Sequence, residues 1–523
     1  MKLNLEALKN REQWLEKGYA LPEYCVEKVT EETRRNPAWI HFGAGNIFRA
    51  FLGGVAQRLL NKGAMDTGIV VFEGFDTEII EKAYRPFDNL SVNVTLVSTG
   101  SVKKEVLGSV VESLTIADDA RATEIFENPS LKMASFTITE KGYAPAFAAR
   151  DAEGKPEDAK GLMGYLTKLV YRRYLKNAQP IALVSMDNCS HNGEKLETVV
   201  KMVANKWLEN GYVDAGYIAY LNEKVSFPWT MIDKITPRPD GNVMKILADD
   251  GFEDGGLIVT SRNTYTSAFV NAEEKEYLVI EDSFPNGKLP LDQAGIYFAT
   301  RETVERVERM KVTTCLNPLH TCLAVFGCLL GFKTIWQEMN DEDLKALVNH
   351  IGYKEGMPVV TDPGIFAPET FLGEVLNVRL PNCFLPDTPQ RIATDTSQKL
   401  SIRFGETIKA YIERGMDVSA LTGIPLVEAG WLRYLMGVDD EGSEMTVSPD
   451  PRLDEMKTRL SGVAFGVTEN VDEVLTPILA DESIFGVNLI QAGLADKVIE
   501  NFKRMNGKPG DVRALIREVA HRA

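Results

Sequence analysis

Three residues in one short stretch could together serve a proton transfer. Lys311, Asn317 and His320 stand in Lys311-Val-Thr-Thr-Cys-Leu-Asn317-Pro318-Leu-His320. A lysine becomes a base near neutral pH when burial and nearby cations disfavour its charged form. An amide can stabilise a developing alkoxide with a pre-aimed dipole, and an imidazole can orient a hydroxyl. Asn317 reads as a helix N-cap, with Pro318 at the first helical position, where a missing N–H costs nothing. The run that follows, Leu319 to Phe332, is LHTCLAVFGCLLGF. It is apolar on every face, so the helix is expected to be buried rather than amphipathic. His320 falls in its first turn, where the helix dipole disfavours imidazolium, and a neutral ring is expected. The competing reading is a polar helix cap with a satisfied core histidine.

Such a constellation needs a scaffold and a reaction partner, and the first half of the chain supplies signals for both. Trp39-Ile-His-Phe runs into Gly43-Ala44-Gly45-Asn46-Ile47-Phe48-Arg49 and then into an apolar pattern with helical spacing. Strand, glycine turn and helix form the context of a dinucleotide-binding fingerprint, in which the turn lets a pyrophosphate approach a helix N-terminus. Gly43, Gly45, Asn46, Ile47 and Phe48 are the candidate cofactor contacts, with Phe48 standing where the third glycine belongs. A second strand, 68–73, ends at Glu73 with Asp76 just beyond. Either acid could accept from a ribose 2′-hydroxyl and repel a 2′-phosphate, which favours NAD over NADP.

Further along, 90–118 alternates like a hairpin of strands, 134–139 reads as another strand, and 181–185 as a buried one. At the carboxyl end of the last lies Asp187-Asn188-Cys-Ser-His191-Asn192-Gly193, where ligands of open α/β sheets bind. Asp233 lies in Ile232-Asp233-Lys234-Ile235, ahead of a stiff segment with two prolines, and a further strand covers 276–281. Beyond 291 helical patterns dominate, over 300–310, 318–333, 340–352, 398–414 and 487–504. The fold class is α/β: a Rossmann-type N-terminal domain with a mostly parallel sheet over 1–290, preceded by a helical preamble, then a mainly α-helical C-terminal domain over 291–523. The acidic stretch 438–455 is expected to be a solvated surface loop.

The bulk properties exclude several classes of function. A chain of 523 residues with 44% hydrophobic and 25% charged content can bury at least two cores. The net charge of −17 argues against nucleic acid or an anionic membrane as partner, while leaving small anions open. MKLNLEALKNREQW has no apolar signal core, and a cytoplasmic location is expected. The six cysteines and five histidines show no metal-like spacing; no metal is implied, and Cys315, Cys322 and Cys328 read as small core hydrophobes. Oligomeric state is open.

GAGNIFRAF, TITEKGY, DNCSHNG, the IDKITP segment, KVTTCLNPLH and RIATDTSQK occur in this order. Together they resemble the mannitol dehydrogenase family of polyol-specific long-chain dehydrogenases over most of 37–425, and its hexuronate-acting branch above all. The resemblance implies a metal-independent, NAD-linked oxidoreductase interconverting D-mannonate and D-fructuronate. Mannitol, arabinitol and altronate dehydrogenation are the sister activities. It implies Lys311 as general base, Asn317 and Asn188 as the amide pair on the substrate oxygen, and His320 as orienter of the hydroxyl. Asp233, Arg391 and Lys399 match sugar-contacting positions, and Glu308 matches an acid on the proton exit path. Asn192 is the alternative to Asn188. Lys234, Arg238 and Arg391 are the candidate cations for a substrate carboxylate. The chain departs from the family in having Lys234 where arginine is usual, in a lysine-to-asparagine step one residue longer, and in extra C-terminal length. A dinucleotide-binding sensor without chemistry and a 6-phosphogluconate-dehydrogenase-like enzyme are readings from outside this branch.

Overall fold

A computed structural model describes residues 1–521 of the chain. It divides into two compact units, Met1–Glu305 and a second beginning at Arg306. The segment 291–305, assigned to the second domain from sequence, joins the first unit because strand Tyr297–Ala299 pairs in parallel with Tyr277–Glu281.

The first unit is built on β1 (Trp39–Phe42), β2 (Ile69–Glu73), β3 (Val110–Thr115), β4 (Met133–Phe136), β5 (Ile181–Ser185) and β6 (Val225–Ser226). They form one sheet in the order β3-β2-β1-β4-β5-β6, and every pairing is parallel. That is the doubly wound Rossmann order, whose direction of winding reverses between β1 and β4. Strand side chains alternate, so a sheet covered on both sides needs apolar residues at nearly every position. Ile40, Phe42, Val70 and Phe72 enter one core, while Trp39, Ile69 and Val71 enter the other. Helix α1 (Gly54–Asn61) packs into the second core, and α2 (Leu162–Lys176) and α3 (Asn192–Glu209) into the first. The expected hairpin is present as antiparallel Ser91–Leu96 and Val102–Leu107, but in a separate four-stranded sheet.

Arg173, at the end of α2, is fully buried without a carboxylate. Its donors reach the carbonyls of Gln179, Phe126, Asn128, Leu131 and Pro180 at 2.6–3.1 Å. All five N–H groups of the guanidinium are thereby answered, and the charge ties helix ends to the strands that follow them.

The second unit is helical. It begins within the helix α4 (Arg301–Met310), which leads into a π turn over Lys311–Cys315, and α5 (Asn317–Leu329) follows. Most of α5 is buried, as its apolar composition requires, and it packs on the wholly buried helix α6 (Gly423–Leu435). The continuous run Arg301–Leu329 is long and apolar enough to cross a membrane, and its most apolar part is mostly buried inside the protein. Cys315, Cys322 and Cys328 are free and buried, and burial raises each thiol pKa.

The acidic stretch 438–455 is more than a solvated loop. Asp440 is only 4% exposed and accepts the backbone N–H groups of Val512 and Arg513, capping the helix Asp511–Ala520. Its own N–H donates to Leu329 O at 2.9 Å, closing the end of α5. Helix ends buried in a bundle need such partners, and an acid is the strongest acceptor for bare N–H groups.

Candidate active site

The glycine turn sits where the sheet reverses its winding. Gly43 has φ +108°, and a Cβ there would stand 2.2 Å from Thr137 O at the end of β4. Only glycine fits that close crossing of backbones. At Gly45 an added Cβ would meet nothing within 4 Å, so this side of the turn lies open for a phosphate-bearing ligand. Ala44 is held from both sides, its N–H donating to Glu73 Oε2 at 2.8 Å and its carbonyl accepting from the Tyr84 hydroxyl at 2.9 Å. Glu73 also accepts the N–H groups of Phe75 and Asp76. Asp76 is buried and accepts the hydroxyls of Thr260 and Thr264 at 2.6 Å. Both acids at the end of β2 therefore work within the protein, Glu73 on the turn itself and Asp76 on a neighbouring hairpin.

Asn46 and Ile47 close the turn, and Phe48 opens a π turn over Phe48–Gly53. Phe48 takes the place of the missing glycine as a packing residue. It is fully buried, and its ring stacks on His41 with centroids 4.2 Å apart. Arg49, which motif reading left unassigned, is 1% exposed and donates to Asn46 Oδ1, Thr266 Oγ1 and Ser267 O. Burial lowers its pKa, and it lies over the Tyr84 ring at 5.5 Å. A guanidinium with no carboxylate beside it adds positive potential behind the turn. An arginine inside an otherwise apolar helical pattern is the signal that could have pointed to it.

After β5 the chain splits its polar residues by task. Asp187 accepts the N–H groups of Ile138 and Thr139 and the Tyr143 hydroxyl, and burial raises its pKa. Asn192 is fully buried, donating to Asp187 O and Thr230 O while accepting Thr230 N–H. Its amide is committed to the scaffold, so it is no substitute for Asn188. Asn188 lies exposed in the same loop. Asp233 ends the strand Thr230–Asp233 and is 8% exposed. The next residue, Lys234, pairs with Glu276 at 2.7 Å and lies over Phe51, and Arg238 stacks on Tyr265.

In the second unit Lys311 opens the π turn and is 4% exposed. Leu316 N–H reaches back to Lys311 O at 3.1 Å, a five-residue step. A π turn accommodates one extra residue within a helix, and the longer lysine-to-asparagine step falls in this turn. The cap differs from expectation. Leu316 is the capping residue and Asn317 is already inside α5, because Leu316 still belongs to the π turn's hydrogen bonding. Glu308 is half-buried on α4, three positions before Lys311.

His320 follows in the first turn of α5. Burial lowers its pKa to about 4, and Arg403, Arg379 and Arg391 push the same way against Asp387. The imidazole is neutral at physiological pH, for reasons wider than the helix dipole. Arg391 pairs with Asp387 and is largely exposed. Lys399 donates to the carbonyls of Ile392 and Thr394, and its pKa is lowered by burial and then by Arg403. His320, Arg391 and Lys399 thus share one charged neighbourhood with two residues the sequence did not single out, Arg379 and Arg403. Both stand in further π turns, Val375–Arg379 and Ser401–Gly405, where helical periodicity misreports which side chains share a face.

A parallel doubly wound sheet with its tight turn at the winding reversal defines a Rossmann-type, dinucleotide-binding class of protein. Comparison with known proteins narrows this class. Residues 37–293 match the mannitol dehydrogenase Rossmann domain and 303–506 the mannitol dehydrogenase C-terminal domain. A Thermotoga maritima protein named D-mannonate oxidoreductase is 50% identical, covering 100% of this chain and 99% of that one. The fold is shared with substrate-free D-sorbitol dehydrogenase, at a TM-score of 0.79 and 24% identity over 95% of this chain and 97% of that one. Pseudomonas fluorescens mannitol 2-dehydrogenase, solved with NAD and D-mannitol, gives a TM-score of 0.70 and 23% identity over 100% of both chains. The chain belongs to the mannitol dehydrogenase family.

Proposed function

We propose that this chain is an NAD-dependent oxidoreductase that interconverts D-mannonate and D-fructuronate without a metal. The observation that carries the substrate is the 50% identity, end to end, with a protein named D-mannonate oxidoreductase. The dinucleotide would be held at Gly43, Gly45, Asn46, Ile47 and Phe48, the turn whose open side faces Gly45, with Glu73 or Asp76 accepting from its ribose beside the bonds each makes within the protein. When bound, its nicotinamide supplies or accepts the hydride.

The chain's own residues handle the proton. Lys311 would remove it from the substrate hydroxyl in one direction and return it to the carbonyl in the other. That role needs an amine pKa near 7–8, roughly the range burial can reach. What supports Lys311 is its depth in the fold at a π turn, a feature frequent at functional sites. Neutral His320 would orient the hydroxyl, since a ring with a pKa of about 4 both donates and accepts at pH 7. The amides of Asn188 and Asn317 would stabilise the developing alkoxide, worth on the order of 3 kcal/mol per donor. Asp233, Arg391 and Lys399 would hold the sugar chain, and Glu308 would pass the proton outward.

The test is an NADH-oxidation panel over D-fructuronate, D-tagaturonate and D-fructose with purified protein. Turnover with fructuronate at the highest kcat/KM is the expected result. Activity confined to tagaturonate or fructose would move the substrate to a sister enzyme.

A further inference from the structure

Resting on that reading, we infer that Arg403 is the substrate-carboxylate receptor, the residue that makes this a sugar-acid enzyme. D-Mannonate and D-fructuronate carry a carboxylate that a polyol lacks, so the site needs a cation whose charge is not already spent. Among the cations acting on His320, the structure accounts for the others. Arg391 is paired with Asp387. Lys399 is turned onto two backbone carbonyls. Arg379 is buried and has partners of its own. The sequence candidates in the first unit are also engaged, Lys234 by Glu276 and Arg238 by the Tyr265 ring.

Of these cations, Arg403 alone has a buried side-chain N–H with no partner among the described residues. It lies in the π turn Ser401–Gly405, and its Nη1 donates to Asn317 O at 3.2 Å and to Thr321 Oγ1. These bonds place the guanidinium at the first turn of α5, beside the residues proposed to bind the reacting oxygen. Its Nε is buried with no partner, and no carboxylate pairs with it among the described residues. A desolvated guanidinium is unfavourable without an anion, and a bidentate carboxylate is the ligand its fork fits best. Burial has already drawn its pKa down to about 10, as expected for a cation lacking a counter-ion. A structural role as a strut for α5 would use Nη1 alone and would not call for a charge.

The experiment compares Arg403→Gln and Arg403→Lys with wild type, reading kcat and KM for D-fructuronate and inhibition by D-mannonate and by uncharged D-mannonamide. The wild type should bind mannonate more tightly than the amide. In Arg403→Gln the fructuronate KM and the mannonate inhibition constant should rise roughly 30-fold or more, erasing the preference over the amide. The KM for NADH should stay within about twofold, and Arg403→Lys, which keeps the charge but loses the fork, should fall between. A fall in kcat with KM and the acid-over-amide preference intact would overturn the inference and leave a strut. Should Arg403→Gln fail to fold, equal wild-type affinity for mannonate and mannonamide would overturn it by itself. A wild type inactive on fructuronate would remove the functional reading and this inference with it, and is distinguishable from an active enzyme indifferent to Arg403.

Discussion

The glycine turn of the first unit and the helical core of the second treat buried carboxyl groups in different ways. Around the turn the acids and the backbone are answered, while the buried Nε of Arg49 has no partner among the described residues. Ala44 is bonded through both N–H and carbonyl, Glu73 accepts three N–H groups, and Arg49 donates to three oxygens. The second unit also holds acids that are not answered. Glu338 and Glu428 are wholly buried, and among the described residues both carboxyl oxygens of each lack a partner, as does Arg403 Nε. Matched groups fix a shape that a ligand can dock on, whereas unmatched ones move pKa values and await a proton or a ligand. On the proposed reading, the first region would be a receptor defined by backbone geometry, and the second a reactive site defined by electrostatics.

The largest effect that could break this contrast lies at the turn. Gly43→Ala must adopt φ +108° and push a methyl carbon into Thr137 O. Strain and overlap together should cost about 3 kcal/mol or more. Thermal unfolding should fall accordingly, and fluorescence titration should show NADH binding lost. A variant that binds NADH like wild type would mean that the turn is not the dinucleotide receptor.

A smaller effect of opposite sign is expected at Glu338. Burial raises its carboxyl pKa from 4.5 to about 9, so it is folded as the neutral acid. From pH 4.5 to pH 9 the unfolded chain releases this proton while the folded one keeps it. Stability contributed by the group is thus full below pH 4.5 and is lost as pH rises through that window, by up to about 1.4 kcal/mol per unit. Glu338→Gln removes the titration. It should raise the midpoint of thermal unfolding at pH 8, by roughly 2–4 kcal/mol in stability, and change it little at pH 5. Equal effects at both pH values would show that Glu338 is matched after all and would weaken the contrast between the units.

How much of this was legible in the sequence follows the same divide. The strands Trp39–Phe42, Ile69–Glu73 and Ile181–Ser185 are short apolar runs next to glycine and polar turns, and local pattern suffices to place them. The buried helix after Asn317 was equally clear, being apolar on every face. Partners brought from far along the chain were not legible. Arg403 reaches Asn317 across 86 positions, and Asp440 caps a helix 72 positions later. The π turns hid Arg379 and Arg403, because a five-residue turn shifts every following side chain off the 3.6-residue pattern. Asn192 illustrates the opposite limit. Its neighbour Asn188 has the same side-chain chemistry, and only the hydrogen bonds to Thr230 and Asp187 reveal which amide belongs to the scaffold.

The most direct test of the central claim is steady-state reduction of D-fructuronate by Lys311→Ala, with NADH affinity measured on the same preparation. The account predicts a loss of about a thousandfold in kcat, with NADH bound as tightly as by the wild type, since the dinucleotide receptor belongs to the other unit. A variant that turns over fructuronate at the wild-type rate would contradict it.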